Sequence, residues 1–438
     1  MAAITGNLVV GQSGGPTAVI NQSLVGVVQE ALKHGSIQSI LGARNGVEGV
    51  LREDFIDLRK QSAQTLEDVA ATASAGLGSC RFKPKEEDCK KIFEIFTRHN
   101  VRYFFYIGGN DSALSAGIIN KIAQEQKYDL CVFHCPKTID NDLLVTDHCP
   151  GFGSAAKYVA QAFMGNDLDN RALPGIKIDV VMGRNAGWLT AASALARVNP
   201  GDGPHVICLP ERSYTVAEFC RKIEDVYTKN KRALVAVSEG LCDKDGNVWL
   251  QSDLVRRELK ELGMEALINW MDATGKIEDS AGGAKLDAFG HAQLSGSGAL
   301  ADLLASILKI YMFQKTGKKP RLRADTLGYA QRSFAGCVSE VDAREARASG
   351  AAAVREAVNG AMSGSICFRR TGSGGYNCET FRAALEDVSG VNFPKGVKQY
   401  RPMEDRLITA DKFDVTPEFV EWARPLLGAL PVKGILTP

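Results

Sequence analysis

Short apolar runs alternate along the chain with longer stretches whose apolar positions recur at helical spacing. Leu8-Val9-Val10-Gly11 enters a glycine turn, Gln12-Ser13-Gly14-Gly15-Pro16, and residues 18–33 continue with helical period. Strand, glycine loop and helix in that order open a doubly wound α/β unit. Tyr103-Phe104-Phe105-Tyr106-Ile107 repeats the pattern and ends at Gly108-Gly109-Asn110-Asp111-Ser112, ahead of a helix over residues 113–126. A third run, Leu130-Cys131-Val132-Phe133, closes on Pro136-Lys137-Thr138-Ile139-Asp140-Asn141-Asp142.

The alternation resumes after a helix near residues 155–163. Ile178-Asp179-Val180-Val181-Met182 leads into the turn Gly183-Arg184-Asn185-Ala186-Gly187 and a helix near residues 189–197. Val206-Ile207-Cys208-Leu209 is followed by a helix over residues 216–230, and Ala233-Leu234-Val235-Ala236-Val237 stops at Ser238-Glu239-Gly240. This order predicts two doubly wound, mainly parallel sheets with helices on both faces. Ligands of such sheets collect at the carboxyl ends of the strands, where each polar motif above falls. The expected division is a first α/β domain over residues 1–150, completed by 320–365, and a second over 151–250. A mostly helical insertion over 251–319 contains a buried helix near 299–314, and a polar C-terminal extension covers 366–438.

Composition narrows the function. The 438 residues are 45% apolar and 24% charged, as in an ordinary globular protein. Lys and Arg total 52 against 51 Asp and Glu, so there is no basic footprint for nucleic acid and any anionic substrate needs a local cluster of cations. No apolar run approaches the ~18–20 residues of a membrane span, and residues 1–15 lack the charged and apolar regions of a signal peptide. Eleven scattered cysteines without a Cys-x-x-Cys pair read as reduced thiols of a cytoplasmic protein. Cys131, His134, Cys135, His148 and Cys149 lie close in sequence, but their spacing fits no standard zinc pattern.

Several segments carry candidate chemistry. Ser13-Gly14-Gly15 can offer backbone N–H groups to a phosphate at a helix start, or be a plain tight turn. Asn110-Asp111-Ser112 after Gly108-Gly109 suits a magnesium-bound phosphate, or is a helix cap. Asp140 and Asp142, two apart beside Lys137, suit a general base and a group that orients a metal-bound phosphate; the alternative is a solvated acidic turn. Arg184 suits bidentate phosphate capture and Glu239 can accept bonds from sugar hydroxyls. Arg323, Tyr329 and Arg332 add two cations and a phenol. Surface ion pairs and packing explain each of these singly.

Taken in order, Gly14-Gly15, Arg81, Gly108 to Ser112, Thr138-Ile139-Asp140-Asn141-Asp142, Met182-Gly183-Arg184, Glu239-Gly240 and Tyr329 to Arg332 resemble the phosphofructokinase family over about three quarters of the chain. The resemblance implies an active site in the cleft between the two sheets, with the first domain binding the phosphoryl donor and the second the sugar phosphate. Asp140 looks like the base that takes the proton of the fructose 6-phosphate 1-hydroxyl. Asp142 and Thr138 look like holders of the transferring phosphoryl group or its metal, with Lys137 beside them. Arg184, Arg323 and Arg332 look like sugar-phosphate ligands and stabilisers of transition-state charge, with Arg184 among the catalytic residues. Met182, Gly183, Glu239, Tyr329 and Ile139 look like sugar contacts, and Gly14, Gly15, Arg81, Asp111, Ser112 and Lys137 like donor contacts.

Mg²⁺ on Asn110 and Asp111 and a homo-oligomer are also implied. ATP-using members typically carry glycine at the positions of Asp111 and Lys137, and an aromatic platform for adenine where this chain has Val47. A carboxylate in place of glycine opposes the α-phosphate of a nucleotide. The expected donor is therefore pyrophosphate, in a reversible glycolytic or gluconeogenic step. An ATP-dependent relative and a non-catalytic sugar-phosphate sensor are the alternatives. An arginine that some members lend from a neighbouring subunit, just before the strand that ends at Met182, has no counterpart here; Gly175 stands there, and Lys177 is the nearest cation.

Overall fold

The computed structural model describes residues 4–82, 84–275, 298–372, 375–392 and 400–434. Part of the expected insertion, residues 276–297, lies outside the described residues. Strands run β1 (Gly6–Gln12), β2 (Ile37–Ala43), β3 (Phe55–Asp57), β4 (Val101–Gly108), β5 (Cys131–Pro136), β6 (Ile176–Val181), β7 (Val206–Cys208), β8 (Ala233–Ser238), β9 (Leu322–Thr326), β10 (Ser363–Arg370) and β11 (Cys378–Ala383). They form a seven-stranded sheet ordered β11-β10-β5-β4-β1-β2-β3 and a four-stranded sheet ordered β7-β8-β6-β9. The first is parallel through β10-β5-β4-β1-β2 with an antiparallel strand at each edge. The second is parallel throughout. The expected pair of mainly parallel sheets is what the chain forms.

The chain divides into two compact units. Unit one takes the residues up to Ala155 with Arg332–Arg401 and Pro425–Gly428; unit two takes Ala156–Gln331, Pro402–Arg424 and the residues from Ala429. In unit one, successive side chains of each strand enter opposite cores, as the pleat requires. Leu8, Val10, Tyr103, Phe105, Phe133 and Ile366 join one core; Val9, Phe104, Tyr106 and Val132 join the other. Both faces are apolar, so the strands read as unbroken apolar runs. On one face the helices Ile20–Ala31 and Glu340–Val358 touch backbone to backbone. A Cβ at Gly26 would collide with the Arg347 carbonyl, and one at Gly350 would collide with that of Ser23.

Unit two surrounds its sheet with the helix Val216–Asn230, which contributes Phe219, Cys220 and Ile223, and the helix Ala299–Thr316, which contributes Leu303, Leu304, Ile307 and Leu308.

Two stretches lie elsewhere than their sequence suggested. Residues 320–331, expected beside the first sheet, carry β9, which pairs along β6 in the second sheet; Leu322 and Ala324 pack on the unit-two core. The stretch 366–438, read as an extension, supplies most of β10 and all of β11 to the first sheet and residues 402–424 to unit two. The polar appearance of β11 is that of an edge strand, half-exposed along its length. The helix Glu340–Val358 was not legible because small residues dominate its buried face, joined by the carboxylates Asp342 and Glu345 and a single Val354, which gives little apolar periodic signal.

Candidate functional site

In unit one the loops after β1, β4 and β5, neighbours in the sheet, bring the expected donor-side residues together. Gly14 has φ +77°, a conformation that favours glycine. Its N–H donates to the Cys80 carbonyl at 2.9 Å, which sets Arg81 beside the turn. Lys137, at the end of β5, is buried, and its Nζ donates to the Gly15 carbonyl at 2.8 Å. A Cβ on Gly14 would stand 3.0 Å from that Nζ, and one on Gly15 would stand 2.8 Å from Nη1 of Arg332. Both glycines are therefore needed for cations to approach the turn this closely.

Burial lowers the Lys137 ammonium to a pKa of about 8. Asp140 and Asp142 act against that shift, while Arg332 and Arg81 reinforce it. All four charged groups thus act on the Lys137 ammonium. The Asp140 N–H donates to Thr138 Oγ1 at 3.1 Å, which fixes the turn around the carboxylate. Asp142 is pushed up by burial, against bonding from Thr138 and attraction to Lys137 and Arg401. Asn110 Nδ2 reaches Asp142 Oδ2 at 3.4 Å.

Asn110 and Asp111 start the helix Asn110–Glu125, and Ser112 is buried with its hydroxyl against Gly108. Ile139 is buried, and Val47 packs into the core from the helix Gly46–Leu51. As a test for magnesium, Asn110 Oδ1 is buried with no hydrogen-bond partner, one residue from Asp111 and beside Asp142. A hard cation that takes oxygen ligands fits these atoms.

Unit two carries the expected sugar-side residues at the carboxyl ends of β8, β6 and β9. The Met182 N–H donates to Gln331 Oε1 and the Gly183 N–H to Glu239 Oε1, both at 3.2 Å. Ser238 Oγ donates to the Gly183 carbonyl at 2.6 Å. These bonds hold the turn that projects Arg184. Tyr329 is 43% exposed just beyond β9. Arg323 is not with them: it pairs with Lys177 near the amino end of β9. The four residues from there to Val181 place it roughly 13 Å down the sheet from the Met182 turn.

Three supporting residues escaped sequence reasoning. His134 is buried and neutral, lowered to about 4 by burial; it donates from Nε2 to the Gly108 carbonyl and accepts at Nδ1 from Ser365, each at 2.8 Å. Gln331 joins Met182 to the Gly328 carbonyl; its place in a turn rich in donors was a usable signal. The Arg401 N–H donates to the Asp142 carbonyl at 2.8 Å. No local pattern marks Arg401, because its partner is far away along the chain.

Converging cations and carboxylates on glycine turns at strand ends define an α/β protein that handles phosphate groups. Residues 7–357 match the phosphofructokinase family model, and the chain belongs to that family. It is 47% identical to pyrophosphate–fructose 6-phosphate 1-phosphotransferase of Rhodospirillum rubrum, over 97% of this chain and 94% of that one. It is 36% identical to the protein of the same name from Xanthomonas campestris, over 96% and 91%. A solved pyrophosphate-dependent phosphofructokinase from Nitrosospira multiformis superposes with a TM-score of 0.78 at 31% identity, covering 98% of this chain and 94% of the other. Among the described residues no helix is long and apolar enough to cross a membrane.

Proposed function

We propose that the chain transfers a phosphoryl group reversibly between pyrophosphate and the 1-hydroxyl of fructose 6-phosphate, giving fructose 1,6-bisphosphate and phosphate. The observation that carries this reading is the buried Lys137 ammonium on the Gly15 carbonyl, ringed by Asp140, Asp142, Arg81 and Arg332. A small donor without a base to anchor it must be held by charge, and this ammonium stands where ATP-using members carry glycine. Unit one binds the donor through Gly14, Gly15, Arg81, Asp111, Ser112 and Lys137. Asp111 sets a carboxylate against the α-phosphate of any nucleotide.

The sugar phosphate is bound by Met182, Gly183, Arg184, Glu239 and Tyr329 and by Thr138, Ile139 and Arg332. Asp140 accepts the proton of the 1-hydroxyl as its oxygen bonds to phosphorus and the bridging P–O bond of pyrophosphate breaks. Base catalysis of this kind is worth roughly 10²–10⁴-fold. Asn110 and Asp111 would hold Mg²⁺, which would supply neutralisation of phosphate charge; Thr138 and Asp142 orient the transferring group.

The protein acts in the cytoplasm as a homo-oligomer, a dimer or tetramer. Arg323 supports this: at the amino end of β9 it pairs with Lys177, two residues on from Gly175, the position from which some family members lend an arginine to a neighbour. Arg323→Ala is expected to raise the KM for fructose 6-phosphate while sedimentation still shows the oligomer; a sedimenting monomer with full activity removes the reading. For the reaction itself, steady-state rates with pyrophosphate and with ATP, each with Mg²⁺, are the test. Turnover with ATP alone overturns the donor assignment.

A further inference from the structure

Three side chains of unit one, outside the residues assigned above, bring metal-ligand atoms to one point. His148 lies on the loop after Asp142, Glu345 on the helix Glu340–Val358, and Cys378 at the start of β11. One ligand atom from each lies within 4.8 Å of the other two, with His148 and Glu345 buried and Cys378 half-buried. His148 Nε2 is 2.8 Å from Glu345 Oε2. Its Nδ1 is 2.8 Å from Asp147 Oδ1, and Arg370 Nε donates to the same carboxylate oxygen at 2.9 Å. The Tyr376 hydroxyl donates to Glu345 Oε1 at 2.6 Å and stands 3.4 Å from His148 Nε2.

We propose that His148, Glu345 and Cys378 form a structural site for a zinc-class divalent cation. Imidazole nitrogen, carboxylate oxygen and thiolate sulfur together are ligands of zinc, and the sulfur selects against magnesium and calcium. The surroundings already have the arrangement such a site needs. Asp147 accepts the hydrogen bond of Nδ1–H, which fixes the ring and leaves Nε2 as the ligand atom, and Arg370 in turn holds Asp147.

A tetrahedral zinc places its nitrogen, oxygen and sulfur ligands about 3.3–3.6 Å apart. The His148–Glu345 pair therefore opens by about half an ångström and Cys378 closes in by at most about 1.5 Å. Binding leaves the charge unchanged, because the dication replaces one proton on His148 and one on Cys378. The ion ties the loop behind Asp142 to a helix and to an edge strand from distant parts of the chain. The rival state is an imidazolium bridging Asp147 and Glu345 with Cys378 as a bystander thiol.

The test is Co²⁺ titration of the full-length chain after chelation, without substrates, read by the thiolate-to-cobalt charge-transfer band in the near ultraviolet. The expected result is saturation at one equivalent per chain, bleaching by Zn²⁺, loss of the band in Cys378→Ser and its retention in Cys242→Ser, which removes the other half-buried thiol. Asp147→Asn is expected to weaken binding about 10–100-fold. No band, or a band unchanged in Cys378→Ser, overturns the proposal and leaves the imidazolium bridge. Because Cys378 is half-buried on an edge strand, that variant folds and decides the matter even if Asp147→Asn does not.

Discussion

Replacing Lys137 with methionine separates what the ammonium does for binding from what it costs the fold. The side chain is 4% exposed, and burial lowers its pKa from 10.5 to about 8. Holding it charged at neutral pH therefore costs roughly 3 kcal/mol at about 1.4 kcal/mol per unit. The folded state binds this proton more weakly than the unfolded chain. The penalty is thus complete below about pH 8 and is relieved as the pH climbs from about 8 towards 10.5. Methionine keeps the length and removes the charge, so Lys137→Met is expected to unfold in urea at an equal or higher midpoint at pH 7.

Activity moves the opposite way. A charge pair about 4 Å apart at an effective dielectric of about 20 is worth about 4 kcal/mol. With Arg81 and Arg332 left in place, a loss of about 10²–10³-fold in kcat/KM for pyrophosphate is expected. The same ratio measured against pH reports groups of the free enzyme. In the wild type it should fall above about pH 8 as Lys137 loses its proton, and in the variant that limb should vanish. A variant within tenfold of wild type, or one destabilised by about 2 kcal/mol or more, refutes the reasoning; the ammonium would then be a structural tie to the Gly15 carbonyl.

Asp140→Ala is expected to bind fructose 6-phosphate nearly as the wild type does, by calorimetry, while kcat falls about 10²–10⁴-fold; a smaller loss moves the base elsewhere. Asp111→Gly combined with Lys137→Gly should raise ATP use relative to pyrophosphate in steady-state assays, and an unchanged ratio ends the donor-switch assignment. Gly350→Val drives a side chain into the Ser23 carbonyl where two helices touch. It should cost about 3 kcal/mol or more in urea unfolding, at the upper end of overpacking effects, and a neutral result would mean that the helices can separate freely.

Much of the site was legible because phosphate chemistry is written locally. Gly14-Gly15, Gly108 to Asp111 and Lys137 to Asp142 each sit on one turn at the end of one strand, and a strand end in a parallel sheet points at the ligand whatever surrounds it. His134, Gln331 and Arg401 were not legible in the same way: their partners Gly108, Met182 and Asp142 are supplied by other segments. Arg323 looked like a companion of Tyr329 because six residues separate them, yet a strand rising about 3.3 Å per residue carries them to different levels of the sheet.

The sequence alone determined which residue types stand at which strand ends, because apolar runs and glycine turns are properties of neighbouring residues. It determined in that way that the chain forms parallel α/β sheets carrying cations and carboxylates on their loops. Tertiary structure alone decided that β9 joins β6, that β10 and β11 extend the first sheet, and that Lys137 is stripped of water against the Gly15 carbonyl. Pairing partners and desolvation depend on which distant segments arrive at the same place, and no window of neighbouring residues contains that information.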